Sequence, residues 1–326
     1  MSRGSEILEV KKLSVVYLVR EGSIKAASDI SFSVKEASIT AIVGESGSGK
    51  STIIEAITKT LPLNARVLEG EVRYRGIDLL TLTDEEYRKL RWREIAYVPQ
   101  AAQSSLNPLQ TVFEHFFETW ADVIGFIQKE EMRVKASELL ENVGLSRGVL
   151  DAYPHQLSGG MKQRVLIALS FLMNPKLLIM DEPVSALDVV NQSQILSLIL
   201  ELYRRYHPTI LLITHDLPVA GELADTIAVM YAGHMVEFSS NKEFFEDPLH
   251  PYSKGLVRSM ITFSIDMGLV SSIPGEPPSL LTPPSGCRFH PRCAHAMDIC
   301  RKDVPPRIEI SPGRWVRCWL YAGDIK

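Results

Sequence analysis

Gly44-Glu45-Ser46-Gly47-Ser48-Gly49-Lys50-Ser51 follows a short apolar run, Ile39–Val43, and opens a helical pattern from Lys50 to Thr60. The spacing G-x-x-x-x-G-K-[ST] between a strand and a helix is that of a phosphate loop. Glycines let consecutive N–H groups turn inward and form a concave anion site. The helix that begins near Lys50 adds its positive end. Lys50 can reach the β- and γ-phosphates of a nucleotide, and the Ser51 hydroxyl can ligate Mg²⁺. Gly44, Ser46, Gly47, Gly49, Lys50, Ser51 and Thr52 are therefore candidate nucleotide contacts. The competing reading, a Gly/Ser-rich turn that binds nothing, is disfavoured by the strand, loop and helix standing in order. Asp181 ends a second apolar run, Leu177–Met180. A carboxylate at the end of a buried parallel strand lies at the sheet edge where ligands bind, and it suits Mg²⁺ held through water. Glu182 follows at once and is placed to polarise an attacking water. Taken alone, the pair reads almost as well as a helix cap.

A second constellation lies far along the chain. The only four cysteines are Cys287, Cys293, Cys300 and Cys318, spaced C-x5-C-x6-C-x17-C. In a cytosolic chain such a cluster reads as a metal site before it reads as disulfides. Structural Zn²⁺ sites usually carry a close C-x2–4-C pair, and none exists here. Four thiolates at wider spacing suit an iron–sulfur cluster at least as well. Arg288, Arg292, Arg301, Lys302, Arg307, Arg314 and Arg317 stand among the cysteines. Donors near an anionic cluster would stabilise it. Solvated surface charge is the plainer reading and is expected for most of them.

The elements that must position these residues read as an α/β chain. Ile39–Val43, Ile95–Val98, Leu177–Met180, Ile210–Ile213 and Ile227–Tyr231 are short apolar runs bounded by polar or turn residues. Near-continuous apolar strands alternating with helices predict a buried, mostly parallel sheet. Leu106–Leu157 shows helical spacing, as in Glu130–Asn142, and reads as a helical insertion. Ala228–Val236, with Ala232-Gly233 in its middle, reads as a hairpin. Nine of the 19 prolines fall between Pro274 and Pro312, so that segment is expected to be irregular and to need pinning, with the cysteines as the candidate pin.

Composition narrows the class. The chain has 326 residues, which predicts about two domains. Hydrophobic residues make up 45% and charged residues 23%, excluding wholesale disorder. A net charge of −4 excludes a globally basic nucleic-acid binder. The most apolar stretch, Val165–Met180, is broken by Asn174, Pro175 and Lys176, and a spanning helix needs about 20 apolar residues. Met1–Lys12 lacks the apolar core of a signal peptide. The expectation is a cytoplasmic protein.

Leu157-Ser158-Gly159-Gly160-Met161-Lys162-Gln163-Arg164 resembles the signature of ATP-binding cassette (ABC) proteins. The other motifs of that family follow in order. Gln100, after Tyr97-Val98-Pro99, resembles the Q-loop. Ser185-Ala186-Leu187-Asp188 resembles the D-loop. His215 resembles the switch histidine, and Tyr17 stands where the family stacks an aromatic on adenine. The resemblance implies an ABC-type P-loop NTPase fold, with a mostly parallel sheet core, an antiparallel β subdomain, a helical insertion and an irregular C-terminal extension. The implied boundaries are 1–240 for the ATPase domain, with a helical subdomain about 101–162, and 241–326 for the extension. It further implies that two cassettes sandwich two ATP molecules. Ser158, Gly159, Gly160 and Asp188 would then serve the partner's ATP in trans. Glu182 would orient the water, with His215 and Gln100 near the γ-phosphate. Mg²⁺ would be held by Ser51, Gln100 and Asp181.

Ser105-Leu106-Asn107-Pro108, Pro248-Leu249-His250-Pro251-Tyr252, Ile273-Pro274-Gly275-Glu276-Pro277-Pro278 and the cysteine array resemble the oligopeptide/dipeptide importer branch. That resemblance implies a four-iron–four-sulfur (4Fe-4S) cluster on Cys287, Cys293, Cys300 and Cys318, with Zn²⁺ as the alternative. It implies a second ATPase subunit, a paralogue with an identical copy as the alternative, two transmembrane permease subunits, a substrate-binding protein and a place at the cytoplasmic face of the membrane, with no nucleic-acid partner. Relatives of the branch carry nickel or oligosaccharides instead of peptides. A soluble ABC ATPase acting on DNA or ribosomes is the competing class. DNA-repair members insert a long coiled coil between phosphate loop and signature, and no sustained heptads stand between Thr52 and Tyr153. Ribosome-acting members usually carry two cassettes per chain, and this chain has one. An iron–sulfur redox protein would leave the ATPase residues without a purpose.

Overall fold

The computed structural model describes residues 5–100, 102–265 and 273–323. Residue 101, at the edge of the expected helical subdomain, and residues 266–272, inside the expected extension, lie outside the described residues. Twelve strands are described: β1 (Glu6–Val19), β2 (Gly22–Lys35), β3 (Ile39–Val43), β4 (Ala65–Tyr74), β5 (Ile77–Asp78), β6 (Ile95–Val98), β7 (Leu177–Asp181), β8 (Thr209–Thr214), β9 (Thr226–Tyr231), β10 (His234–Ser240), β11 (Ile308–Ser311) and β12 (Arg314–Val316). They fall in two compact units, one of residues 1–35, 39–80 and 213–326, the other of 36–38 and 81–212.

The first unit holds an antiparallel sheet in the order β2-β1-β4-β5 and a second set in the order β11-β12-β10-β9-β3. β3 runs parallel to β9, and all five of its residues are buried. A strand covered on both faces has no polar side to alternate with, which is why it reads as one apolar run. The expected hairpin is β9–β10. Its two turn residues, Ala232 (φ 46°) and Gly233 (φ 80°), both take the left-handed region that a two-residue hairpin turn requires.

The proline-rich segment joins this unit at its edge. β12 pairs antiparallel with β10, placing Trp315 opposite Phe238, and β11 caps the row. Strand residues so rich in flanking prolines belong at an edge, where missing N–H donors cost nothing to the ladder. The expectation of mostly solvated basic residues needs correction here. Arg288 and Arg317 are buried, and the Arg292 and Arg314 side chains are 6% and 12% exposed. Arg301, Lys302 and Arg307 are exposed. The buried ones fasten the segment. Arg288 donates to Ala232 O and to Ser28 Oγ (2.9 Å), Arg317 to the Asp29 carboxylate and Asp29 O (3.0 Å), and Arg314 to Asp247 (3.0 Å). The segment is pinned by these guanidinium contacts.

The second unit holds β8 (its residues 209–212), β7 and β6 in that order, with β6 parallel to β7. Around them are the helices Val112–Val123, Lys129–Asn142, Gly159–Ser170 and Val189–Tyr206. Lys129–Asn142 buries Met132, Ala136 and Leu140, an i, i+4 stripe, and packs against Val112–Val123, which buries Val112 and Phe116. Thr111 and Glu114 form a reciprocal capping box that fixes where the first of these helices starts.

Candidate nucleotide site

In the first unit the chain leaves β3 at Gly44 and enters the helix Lys50–Thr58. Two glycines of the loop answer to steric need. A Cβ on Gly44 would lie 2.2 Å from Met230 O, and one on Gly49 2.0 Å from Ala26 O. Only a residue without a side chain lets the loop lie that close to β9 and β2. Gly49 also carries φ 99° as the residue that starts the helix, and no side chain caps it. The first amide groups of the helix thus keep an end-on approach for an anion. Lys50 is buried and donates to Gly44 O (2.7 Å) and Glu45 O (3.0 Å), so its ammonium lies on the loop. Ser48 Oγ is buried with no hydrogen-bond partner, a polar atom that an incoming phosphate would satisfy. These features fit a nucleotide phosphate.

Tyr17, on β1, is half-buried, and its hydroxyl donates to Glu55 Oε2 (2.5 Å) and lies 3.0 Å from Thr52 Oγ1 on the same helix. Burial, followed by the Glu55 carboxylate, pushes the phenol up to about 12. The hydroxyl is thus tied to the phosphate-loop helix at two points. Glu45 is gripped from the opposite end of the sequence. Its amide N–H donates to Tyr252 Oη (3.0 Å), and its carboxylate takes both terminal nitrogens of Arg292. His215 stands exposed just after β8, followed by Asp216, which caps the helix Leu217–Leu223.

In the second unit Asp181 closes β7, 5% exposed, with Tyr97 Oη donating to its Oδ2 at 3.4 Å. Glu182 takes φ 46°. A left-handed glutamate is strained, and such strain persists where the surroundings hold a side chain in a required direction. Gln100 Nε2 donates to Glu182 Oε2 at 2.6 Å, and Ser185 Oγ donates to Gln100 O at 3.4 Å. Three residues from separate motifs of the sequence, Gln100, Glu182 and Ser185, therefore form one connected group. Ser158 caps the helix Gly159–Ser170, its Oγ accepting from Met161 N–H at 3.3 Å. A Cβ on Gly160 would lie 2.8 Å from Asn191 Oδ1, so the glycine permits close packing of the helix Val189–Tyr206. Asp188 caps that helix through Asn191 N–H (3.0 Å), and this hydrogen bond, with a second from the Asn191 side chain, holds its carboxyl below the ordinary range.

Cys287, Cys293, Cys300 and Cys318 are all free thiols, the last two buried. Burial pushes the Cys287 thiol up to about 12, and the other three cysteines push it the same way. Cys318 is raised to about 11 by burial, with Cys293 and Cys300 adding to it. The backbone N–H of Cys287 donates to Cys300 O at 2.8 Å, which sets these two residues side by side. Among the described residues, no group of three or more His, Cys, Asp or Glu side chains is placed to hold a single metal ion.

Glu45, Glu55, Arg292, Tyr252 and Asn191 were not legible as site residues from sequence. Tyr252 lay inside a stretch already singled out, Pro248–Tyr252, but nothing in that stretch pointed to residue 45.

Comparison with known proteins places this geometry. Residues 27–185 match the ABC transporter family, and residues 236–300 match the family described as the oligopeptide/dipeptide transporter C-terminal region. The chain is 56% identical to a dipeptide transport ATP-binding protein of Caldanaerobacter subterraneus, covering 97% of this chain and 98% of that protein. It is 40% identical to the oligopeptide transport ATP-binding protein of Escherichia coli, covering 98% of this chain and 94% of that one. Among solved structures, a dimeric ATP-binding cassette in a post-hydrolysis state bound to ADP and phosphate superposes with a TM-score of 0.65 at 31% identity, covering 72% of this chain and 98% of that chain.

Proposed function

From the premise that this chain belongs to the ABC transporter family of ATPases, in its dipeptide/oligopeptide branch, we propose that it is the ATP-hydrolysing subunit of a membrane importer of short peptides. The observation that carries the ATPase reading is the built phosphate loop, with buried Lys50 donating to Gly44 O and Glu45 O; the Gln100–Glu182 contact supports it separately. The peptide reading is supported by the match of residues 236–300 to the transporter C-terminal region. No helix among the described residues is long and apolar enough to cross a membrane. A place at the cytoplasmic face of the membrane, with permease partners, is supported by the similarity to transport ATP-binding proteins.

In this reading, Gly44, Ser46, Gly47, Gly49, Lys50, Ser51 and Thr52 cradle the ATP phosphates, and Tyr17 lies beside the adenine. Ser51, Gln100 and Asp181 are the residues suited to hold Mg²⁺, which would supply charge neutralisation between phosphates. Glu182 orients the attacking water, and Gln100 fixes the carboxylate that does so. His215 completes the contacts to the γ-phosphate. Ser158, Gly159, Gly160 and Asp188 serve the ATP of a second cassette, which presents its own copies in return. Catalysis here is positioning and charge stabilisation. The boundaries 1–240 and 241–326, with a helical part about 101–162, remain our division by role.

For the four thiols we propose an iron–sulfur cluster, with Zn²⁺ as the alternative, supported by the four-cysteine array. A tetrahedral Zn²⁺ with bonds of about 2.3 Å needs its sulfurs within about 3.8 Å of one another. A four-iron cluster, held by four thiolates, spreads its ligands more widely. Raised thiol pKa values mean that protons must leave as any such group binds.

The test is Glu182→Gln in the assembled transporter. Hydrolysis should fall by about 10²–10⁴-fold while ATP affinity stays within a few-fold. Lys50→Ala should show the converse, with weakened ATP binding itself. Retention of most of the hydrolysis rate by Glu182→Gln would defeat the assignment.

A further inference from the structure

The phosphate loop is held by the cysteine-bearing segment through one arginine. Arg292, the residue before Cys293, meets Glu45 with Nη1 to Oε2 at 2.9 Å and Nη2 to Oε1 at 3.1 Å. The Arg292 side chain is 6% exposed and that of Glu45 26%. The guanidinium is itself fixed from other sides. Its Nε donates to Pro274 O (2.8 Å), Nη2 to Ile273 O (3.3 Å) and Nη1 to Tyr231 Oη (3.3 Å). The Glu45 amide N–H, meanwhile, donates to Tyr252 Oη.

Two consequences follow for the loop. A planar fork on a carboxylate fixes direction as well as charge, and at a largely enclosed position it is little screened. Glu45 O and Gly44 O are the acceptors of Lys50 Nζ, so fixing Glu45 fixes the platform on which the phosphate-binding ammonium rests. A carboxylate on an anion-binding loop would also repel the phosphates unless a cation neutralised it. Arg292 is that cation.

We propose that Arg292 is a positioning residue for nucleotide binding: it neutralises Glu45 and fixes the start of the phosphate loop, so that ATP affinity depends on the order of the segment 273–300. The proposal rests on the reading of residues 44–51 as a phosphate loop. It assigns a nucleotide-site role to a residue 247 positions away from the loop.

The charge argument gives an unusual expectation. Arg292→Ala leaves Glu45 unneutralised and should raise the Kd for Mg-ATP on the order of tenfold. Glu45→Gln removes the repelling charge and should change Kd less than about threefold. Adding Glu45→Gln to Arg292→Ala should restore most of the lost affinity. A merely structural arginine would behave otherwise, with the double variant at least as weak as the single one. The measurement is equilibrium Mg-ATP binding to the full-length chain, with Arg292→Lys expected between wild type and Arg292→Ala. In the assembled transporter Arg292→Ala should raise the KM for ATP with kcat within about twofold of wild type. Should Arg292→Ala fail to fold, the same rescue is read from Arg292→Lys against Glu45→Gln/Arg292→Lys. Wild-type affinity in Arg292→Ala, or absence of rescue by Glu45→Gln, overturns the proposal while leaving the ATPase reading intact. A wild-type chain that bound no ATP would overturn both.

Discussion

His250 is enclosed completely, and its Nδ1 accepts the N–H of Tyr252 at 3.0 Å. Burial, with Lys254 nearby, pushes its pKa down to about 3. His234 is likewise lowered to about 3 by burial and by Arg288 and Arg317. Both are neutral in the folded chain, whereas in the unfolded chain they take up protons below about 6.5. The unfolded state therefore binds more protons between pH 6.5 and 3, and their contribution to stability, present above pH 6.5, is lost as pH falls through that window. At pH 5 the loss is about 2 kcal/mol for each. Glu237 acts in the opposite sense, because burial raises its carboxyl. His250→Asn keeps an acceptor for the Tyr252 amide but removes the titration. Urea unfolding at pH 7, 6 and 5 should show the variant losing about 2 kcal/mol less than wild type over that range; parallel losses would refute this account. At this scale the motif residues were legible because their chemistry is local: a strand, glycines, a lysine. Arg292 was not, since a guanidinium carries no mark of which carboxylate, hundreds of residues away, it will meet.

The elements divided in the same way. The buried strands β3 and β6 stood out as continuous apolar runs, bounded as the structure bounds them. The long strands β1 and β2 did not. Their pairing is interrupted by register shifts between Val10 and Leu13, Leu13 and Val15, and Val15 and Val16. Each shift breaks the alternation from which a strand is read. The C-terminal segment was legible as irregular but not as fastened, since its fasteners are buried arginines. Its cysteines carry the prediction that belongs here. Chain purified without oxygen should contain about four irons with matching sulfide. Cys300→Ser should lose them and make the segment 273–323 more open to protease. Stoichiometric zinc with no iron or sulfide would refute the cluster.

On the proposed reading, one phosphate loop and one Ser158-type signature per chain would need a second cassette to complete a composite site. The isolated chain should be mostly monomeric and a poor ATPase. A second cassette, two permease subunits and a peptide-loaded binding protein should stimulate hydrolysis, because substrate arrival biases closure of the pair. ATP-driven uptake into reconstituted vesicles, comparing dipeptides and longer peptides with nickel and oligosaccharides, reads out the substrate. Uptake of sugars alone would refute the peptide assignment, and full turnover by the lone chain would refute the importer.

The fastening of the C-terminal segment also sets an order in time. Arg317 meets Asp29 across 288 residues, Arg288 meets Ser28 across 260, and Arg292 meets Glu45 across 247. A ribosome adding about 5–20 residues per second delivers these arginines roughly 15–60 s after the groups they hold. Throughout that interval the nascent phosphate loop exists without its clamp. On the proposed role of Arg292, full affinity for nucleotide is thus acquired only near the end of synthesis, and a chain cut short by an early stop or by proteolysis should hold ATP more weakly.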